Sequence, residues 1–384
     1  MEFKFTEEHV MLREMVKKFV DKELRPIAEK IDKEKQIPKE FIKRMGELGL
    51  LGAPFPEEYG GAGMGEIGYC IVSEEISRGC GSTATFLGAH TSIGSTPIYL
   101  DGTEEQKKKY LLPLAKGEMI AAFALTEPNA GSDAAAIEMS ARRDGDHFIL
   151  NGTKQYITNG NIADIVITIA VTDKALGPKG GVSAFIVETK TPGFSVGKID
   201  EKMGIRGSGT AELIYQDVKV HKDNVLGKVG YGFLTAMKTL DVGRLGLGAG
   251  CLGGSKEVLD ISTKHANTRV QFGGPLSEKQ AIQWMLAEIA TLVYAMESMV
   301  YRAAWMCDQG MKFSREAAMC KLFCSEALNR IADMGVQIHG GLGYMEEYPM
   351  ARFYRDARIH RIFEGTNEIQ KLIIARDIIK KGGY

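Results

Sequence analysis

Apolar residues change their period twice along the chain. Up to about residue 117 they recur at helical spacing, as in Leu12, Met15, Val16, Phe19 and Leu24. Thr6 stands before this run with Glu7 and Glu8 after it, the pattern of a capped helix start with acids in the first turn. A second helix is predicted after Pro38, with Phe41, Met45 and Leu48 inward and Gly49 as its stop. Pro54–Gly61 reads as a loop, and more helix is predicted around Ile67–Arg78 and Glu104–Pro113. From about 118 to 230 the apolar runs shorten and become rich in β-branched residues: Phe148–Leu150, Ile165–Val171, Val182–Val187 and Leu213–Val220. Asp144-Gly145, Asn151-Gly152, Asn159-Gly160 and Gly180-Gly181 punctuate them as turns, which predicts an antiparallel β-domain rather than a βαβ alternation. From 231 to 384 helical spacing returns. Ile282, Met285, Leu286, Ile289, Leu292, Val293, Met296 and Val300 form one long stripe between Glu278 and about Asp308. Ser314 is expected to cap a further helix through Met334, and a last helix follows Asn367 with Ile369, Leu372, Ile373 and Ile379. The predicted class is α+β: helical domain 1–117, β-domain 118–230 and a four-helix bundle 231–384.

Composition narrows the function. The length of 384 residues suits two or three domains at ~150 residues each. Lys+Arg is 48 and Asp+Glu 49, so no charge excess points to nucleic acid. The first residues, Met1-Glu-Phe-Lys-Phe-Thr-Glu-Glu, hold no apolar core of a secretory signal, and no apolar run reaches the ~18 residues of a membrane span. Cys70, Cys80, Cys251, Cys307, Cys320 and Cys324 fit no zinc spacing and are read as free buried thiols, with no metal expected and a cytoplasmic location. Glycine is abundant at 45 residues while proline is 11, so the glycines mark loops and close approaches rather than low complexity.

Several motifs carry candidate chemistry. Gly248-Ala-Gly-Cys-Leu-Gly253 matches a dinucleotide fingerprint, but helix precedes it and no acidic residue follows at the required distance; close helix packing is the expected reading. His339-Gly-Gly-Leu-Gly resembles a lipase oxyanion loop, yet no GxSxG occurs, so the loop is read as a backbone contact to a ligand or a simple turn. Thr126-Glu-Pro-Asn-Ala-Gly-Ser-Asp133 offers hydroxyls and free amides to an anion, or is a plain turn. Tyr156-Ile-Thr-Asn-Gly160 could stack on and hydrogen-bond a flat ring, or pack as any strand tyrosine does. Glu364, between Ile362-Phe363 and Gly365, suits a desolvated general base or a helix cap.

Taken together with Arg269-Val-Gln-Phe-Gly, Gln337-Ile-His-Gly-Gly-Leu-Gly-Tyr, Tyr354-Arg-Asp-Ala and Phe363-Glu-Gly-Thr-Asn-Glu-Ile-Gln, these motifs resemble the acyl-CoA dehydrogenase family over essentially the whole chain, nearest to its short-chain, butyryl-CoA type. The resemblance implies FAD, with Phe123, Leu125, Thr126, Tyr156 and Thr158 at the flavin ring and Ser132 at the pyrophosphate and the substrate. It implies that Arg269, Phe272, Gln280, Gln337, Gly340 and Gly341 hold the ADP part across a dimer interface, with Thr366 and Glu368 beside the cofactor. It implies an acyl-CoA thioester near Arg244, Phe363 and Gly365, an electron-transfer flavoprotein as partner and a homotetramer. Many relatives have Trp where Tyr156 stands here. Some carry the catalytic Glu at the position of Gly243, which cannot serve, leaving Glu364 as the base. The alternatives within the fold are an enoyl-CoA reductase, an acyl-CoA oxidase or a non-catalytic flavin- and CoA-binding assembly protein.

Overall fold

The computed structural model describes residues 5–383; residues 1–4 of the charged N-terminal stretch, and Tyr384, lie outside the described residues. Helix α1 (Glu7–Phe19) begins as expected, with the Thr6 hydroxyl accepting the His9 N–H at 3.3 Å. A π-helical turn at Val20–Leu24 prolongs it. Helices α2 (Ala28–Glu34) and α3 (Lys39–Glu47) follow, and Gly49 stops α3 with φ +71°. Helix α4 (Gly65–Gly79) is almost entirely buried.

The next helical stretch was not legible in the sequence. It comprises α5 (Gly81–Leu87), a π-helical segment Gly88–Ser95 and α6 (Thr96–Asp101). Its Gly, Ser and Thr residues have weak helix propensity, so tertiary burial rather than local preference makes it helical. Its hydroxyls engage carbonyls: Thr91 Oγ1 donates to Leu51 O at 2.8 Å and Ser95 Oγ to His90 O at 2.7 Å. The expected helix at Glu104–Pro113 appears as α7 (Glu104–Gln106), a π turn and α8 (Leu112–Ala115).

The β-domain is one eight-stranded sheet in the order β6-β7-β3-β2-β4-β5-β8, with β1 beside β4. Its strands are β1 (Ala121–Ala124), β2 (Ser140–Asp144), β3 (His147–Thr158), β4 (Ile165–Val171), β5 (Val182–Glu188), β6 (Phe194–Ile199), β7 (Thr210–His221) and β8 (Val225–Leu226). The sheet is mixed rather than purely antiparallel. β1 runs parallel to β4, and β2 meets β4 in parallel at Ser140 and Val171. These partners are far apart in sequence, so no hairpin forces them to oppose one another.

The bundle is built on α9 (Gly232–Thr268), a 37-residue helix. A short hairpin, β9 (Val270–Gln271) and β10 (Gly274–Pro275), leads to α10 (Gln280–Asp308) and then α11 (Ser314–His339). Short helices α12 (Gly341–Tyr344) and α13 (Pro349–Ala357) precede α14 (Asn367–Lys381). Ser314 does not cap α11 as expected. It is the first helical residue, and its hydroxyl donates to the Asp241 carboxylate of α9. The glycines of the dinucleotide-like motif lie inside α9. A Cβ on Gly253 would fall 1.9 Å from the Glu74 carbonyl, and one on Gly248 would fall 2.7 Å from Cys320 Sγ. They let α4 and α11 press against α9, which is the helix-packing reading. All six cysteines are free thiols, and only Cys307 is part-exposed.

Candidate active site

The site forms where α9 passes the turn between α13 and α14. Gly243 of α9 leaves the space that the turn fills: a Cβ there would lie 2.5 Å from Glu364 Oε2 and 2.8 Å from Ile93 Cγ2. Glu364 has φ +53° and Gly365 φ +87°. A glutamate in the left-handed region costs of order 1–3 kcal/mol and persists only where its surroundings hold it. Here Gln370 Nε2 donates to the carbonyls of Glu364 at 3.3 Å and Gly365 at 2.9 Å. Thr366 caps α14 by accepting the Ile369 N–H at 3.4 Å. Asn367 Oδ1 accepts from Lys321 Nζ at 2.8 Å and from Ser325 Oγ at 3.1 Å, tying the turn to α11.

The electrostatics follow from this enclosure. Glu364 as a residue is part-exposed, yet its Oε2 is buried and has no hydrogen-bond partner. Burial pushes its carboxyl up to about 7, against the pull of Arg244 and Lys321. Arg244, only 4% exposed, donates to Asp241 Oδ1 at 2.6 Å and leaves its Nε unpartnered. Lys321 is fully buried, and burial draws its ammonium down to about 8 although the facing Cys251 and Glu364 favour the charge. A carboxyl poised near neutrality, beside two cations and an unfilled hydrogen-bond site, is equipped to take or give a proton.

The rim of the β-domain carries a second set of expected residues. The β3–β7 register slips between Lys154 and Ile157, and in that bulge Tyr156 takes φ +59° and is 60% exposed. A tyrosine in this backbone region is an outlier worth a functional reading. Thr158 is part-buried at the end of β3, opposite Thr210. Gln155 N–H donates to Thr126 O at 2.9 Å, which brings the Thr126 loop alongside Tyr156. Phe123 is buried at the end of β1, Leu125 is part-buried and Ser132 is exposed on the bend beyond. An exposed ring on strained backbone, flanked by segments bearing hydroxyls, fits a flat heteroaromatic group.

Two residues that sequence reasoning missed hold that loop. Lys154 is fully buried, and its Nζ donates to Glu127 Oε1 at 2.7 Å and to Leu125 O at 2.9 Å. The Glu127 carboxylate also accepts the N–H groups of Glu138 at 2.6 Å and Met139 at 3.1 Å. A lone lysine in a strand reads as solvent-facing by default, so no signal in the sequence reveals the pair.

The remaining expected residues lie at one end of the bundle. Arg269, Phe272, Gln280, Gln337, Gly340 and Gly341 are all exposed, and Phe272 is 94% so. The His265 and His339 rings, 4.3 Å apart, join the ends of α9 and α11 there. A Cβ on Gly340 or Gly341 would meet nothing within 4 Å, so this backbone is open to a ligand or a second chain. Glu368 is exposed in the first turn of α14, while Phe363 and Gly365 are part-exposed beside Glu364.

Models of the acyl-CoA dehydrogenase N-terminal, middle and C-terminal domains match residues 6–118, 122–218 and 230–379. The short-chain specific acyl-CoA dehydrogenase of Clostridium acetobutylicum is 44% identical, covering 99% of this chain and 100% of its own. The 3-(aryl)acrylate reductase of Clostridium sporogenes is 45% identical, covering 98% of this chain and 100% of its own. Among solved structures, butyryl-CoA dehydrogenase from Megasphaera elsdenii superposes with a TM-score of 0.96 at 42% identity, covering 99% and 100% of the two chains. An acyl-CoA dehydrogenase complexed with FAD from Bacillus anthracis gives 0.93 at 42% identity, covering 99% of this chain and 68% of that one. A chain from work on the electron transferring flavoprotein of Acidaminococcus fermentans gives 0.97 at 44% identity, covering 99% and 100%.

Proposed function

The chain belongs to the acyl-CoA dehydrogenase family, and from that membership we propose that it interconverts a short acyl-CoA and its 2-enoyl-CoA, with FAD as redox group and Glu364 as base. The observation that carries this reading is the buried, unpartnered Oε2 of Glu364, packed onto Gly243 with its carboxyl near neutrality. Bound FAD would supply the acceptor for the β-hydride of the acyl group. Phe123, Leu125, Thr126, Tyr156 and Thr158 would hold its ring system, and Ser132 its pyrophosphate. Tyr156 would shield the ring, and the Lys154–Glu127 pair keeps the Thr126 loop fixed to β3. Glu364 takes the proton from the thioester α-carbon. Arg244 and Lys321 keep part of its population ionised near pH 7. The turn packs the Glu364 carboxyl onto α9, and this burial keeps it more basic than an exposed carboxylate.

Arg269, Phe272, Gln280, Gln337, Gly340 and Gly341 are exposed, which suits a second copy's cofactor rather than the chain's own. The large apolar side chains exposed on the bundle suit a homotetramer: Trp284 at 64%, Tyr294 at 74% and Ile379 at 78%. Arg269→Ala is therefore expected to weaken FAD retention by losing a charge-assisted phosphate contact, roughly 1.5–3 kcal/mol. Flavin released on gel filtration measures it. Retention equal to wild type would remove Arg269 from the cofactor site.

No described helix is long and apolar enough to cross a membrane. The six free thiols suit a reducing compartment, and we place the protein in the cytoplasm with an electron-transfer flavoprotein as its electron partner. Reductase work in the reverse direction uses the same residues, and pH separates the directions. For oxidation Glu364 must begin ionised, so kcat/KM rises with pH through about 7. For enoyl reduction it must begin protonated, so kcat/KM falls through the same range. A profile flat between pH 5.5 and 8.5 in both directions, with roughly tenfold change per pH unit expected on the limiting limb, would remove Glu364 from the proton transfer.

A further inference from the structure

Helix α11 presents a polar strip to the segment that carries Glu364. Asn329 Nδ2 donates to the Ala357 carbonyl at 2.8 Å, at the end of α13. The part-exposed Glu326 accepts at Oε1 from Arg361 Nε at 3.0 Å, ahead of the turn, and from Asn367 Nδ2 at 2.8 Å, behind it. One carboxylate oxygen thus ties the two ends of the turn together. Asn367 is 2% exposed, and its other face is filled: Oδ1 takes Lys321 Nζ at 2.8 Å and Ser325 Oγ at 3.1 Å. A lysine only donates and an ionised carboxylate only accepts, so these partners allow the amide one orientation. Lys321, Ser325 and Asn329 stand four residues apart and share one face of α11, with Glu326 at its edge.

Lys321 is the unusual member of this strip. It is fully buried, and its ammonium bonds a neutral amide rather than a carboxylate. Burying an ammonium without a bonded counter-ion is costly, and an apolar side chain of the same length would pack there at lower cost. We infer that Lys321 is the positioning residue of the base: acting through Asn367, with Glu326 bracing both ends of the turn, it keeps Glu364 in its left-handed backbone and Oε2 against α9. This rests on the reading of Glu364 as the base. Asn367 follows Glu364 by three residues, so a shift of one carries the other. Charge adds to geometry. Glu364 is faced by Lys321 from α11, by Arg244 and Cys251 from α9 and by Tyr69 from α4. Lys321 is faced by Cys251 and Arg244 from α9, by Glu368 from α14 and by His360 from the 3-10 turn Arg358–Arg361. Burial pushes the Tyr69 hydroxyl and the Cys251 thiol up and the His360 ring down, so these three are uncharged near neutrality. Arg244 is bonded to Asp241 at 2.6 Å, so its charge is shared, whereas that of Lys321 is not.

The test is oxidation of butyryl-CoA by FAD-loaded Lys321→Met from about pH 5.5 to 8.5, beside the wild type and Glu364→Gln. A loosened base should lower kcat roughly 10- to 100-fold with KM within about threefold. Loss of the cation should move the rising limb of kcat/KM up by about one pH unit. The infrared band of the protonated Glu364 carboxyl, taken as the difference from Glu364→Gln, should titrate higher by the same amount with no turnover involved. Glu326→Ala, a change near the surface, should lower kcat and leave the limb in place, because it loosens the turn and keeps the Lys321 charge. An unmoved limb and band in Lys321→Met, whatever its rate, would overturn the inference. So would a wild-type kcat in Glu326→Ala, which decides alone if Lys321→Met does not hold FAD. If Glu364→Gln oxidises butyryl-CoA as the wild type does, the proposed function fails. A silent Glu364→Gln beside an unshifted Lys321→Met condemns the positioning role only.

Discussion

Glu364→Gln leaves a folded, FAD-bearing protein that binds acyl-CoA and does not turn it over. Glutamine keeps the shape of the side chain on Gly243 but cannot accept the α-proton. Loss of a general base costs ~10²–10⁴ in rate, and here the loss should reach the upper end because the atoms nearest the Gly243 position belong to Glu364 and Ile93, and isoleucine cannot take the proton. The same change should stabilise the protein in alkali. Burial raises the Glu364 carboxyl from 4.5 to about 7. At about 1.4 kcal/mol per pH unit, the folded state carries on the order of 3 kcal/mol of unfavourable ionisation above pH 7. The sign is that of a raised pKa: the protonated carboxyl is at no disadvantage below pH 4.5, and stability is lost as pH rises through about 7. Thermal unfolding of the two proteins should therefore coincide near pH 4.5 and separate in favour of the variant at pH 8. Lower stability of the variant at pH 8 would show that the carboxylate is held by contacts outside this scheme.

Lys154→Met is expected to cost more than any surface change in the β-domain. It leaves the Glu127 carboxylate in the interior with its cation removed, and breaking a buried pair in this way costs roughly 3–5 kcal/mol. The Leu125 carbonyl loses its donor in the same step. Because the loop from Leu125 to Glu127 is the one that faces the flavin in this scheme, FAD affinity should fall with stability. Adding Glu127→Gln should recover part of the loss, since the unpaired charge is gone. Urea denaturation and flavin fluorescence of the released cofactor measure both effects. A single variant within about 0.5 kcal/mol of wild type, with FAD retained, would mean that the pair does not hold the loop.

What could be read from the sequence was what local rules determine. Thr6 followed by Glu7, Glu8 and an apolar stripe is a self-contained helix start, and α1 begins there. Asp144-Gly145, Asn159-Gly160 and Gly180-Gly181 do stand at strand ends, whereas Asn151-Gly152, read as a turn, lies inside β3, where the chain stays extended; β4 and β5 were visible as short apolar runs and are buried on both faces. Residues 81–101 were not legible, because glycine, serine and threonine become helical there only through burial and hydroxyl-to-carbonyl bonds. Ser314 looked like a cap because caps are local, but its hydroxyl goes to Asp241, 73 residues away in sequence. At the site, Glu364 and Tyr156 were visible as motif residues. Their left-handed backbones were not, since both depend on partners elsewhere: Gln370 and Lys321 around Glu364, and the β7 register around Tyr156.

Gly243 and Glu364 address one volume from opposite sides: a side chain on α9 at that position would point at the place where Glu364 Oε2 lies.

Anaerobic titration of the FAD-loaded protein with butyryl-CoA, run beside Glu364→Gln, tests the central claim most directly. Bleaching of the flavin absorbance in the wild type, with spectral perturbation but no bleaching in the variant, is the expected result. An unbleached wild type across the butyryl-, hexanoyl- and octanoyl-CoA series, or a variant that bleaches as the wild type does, would contradict it.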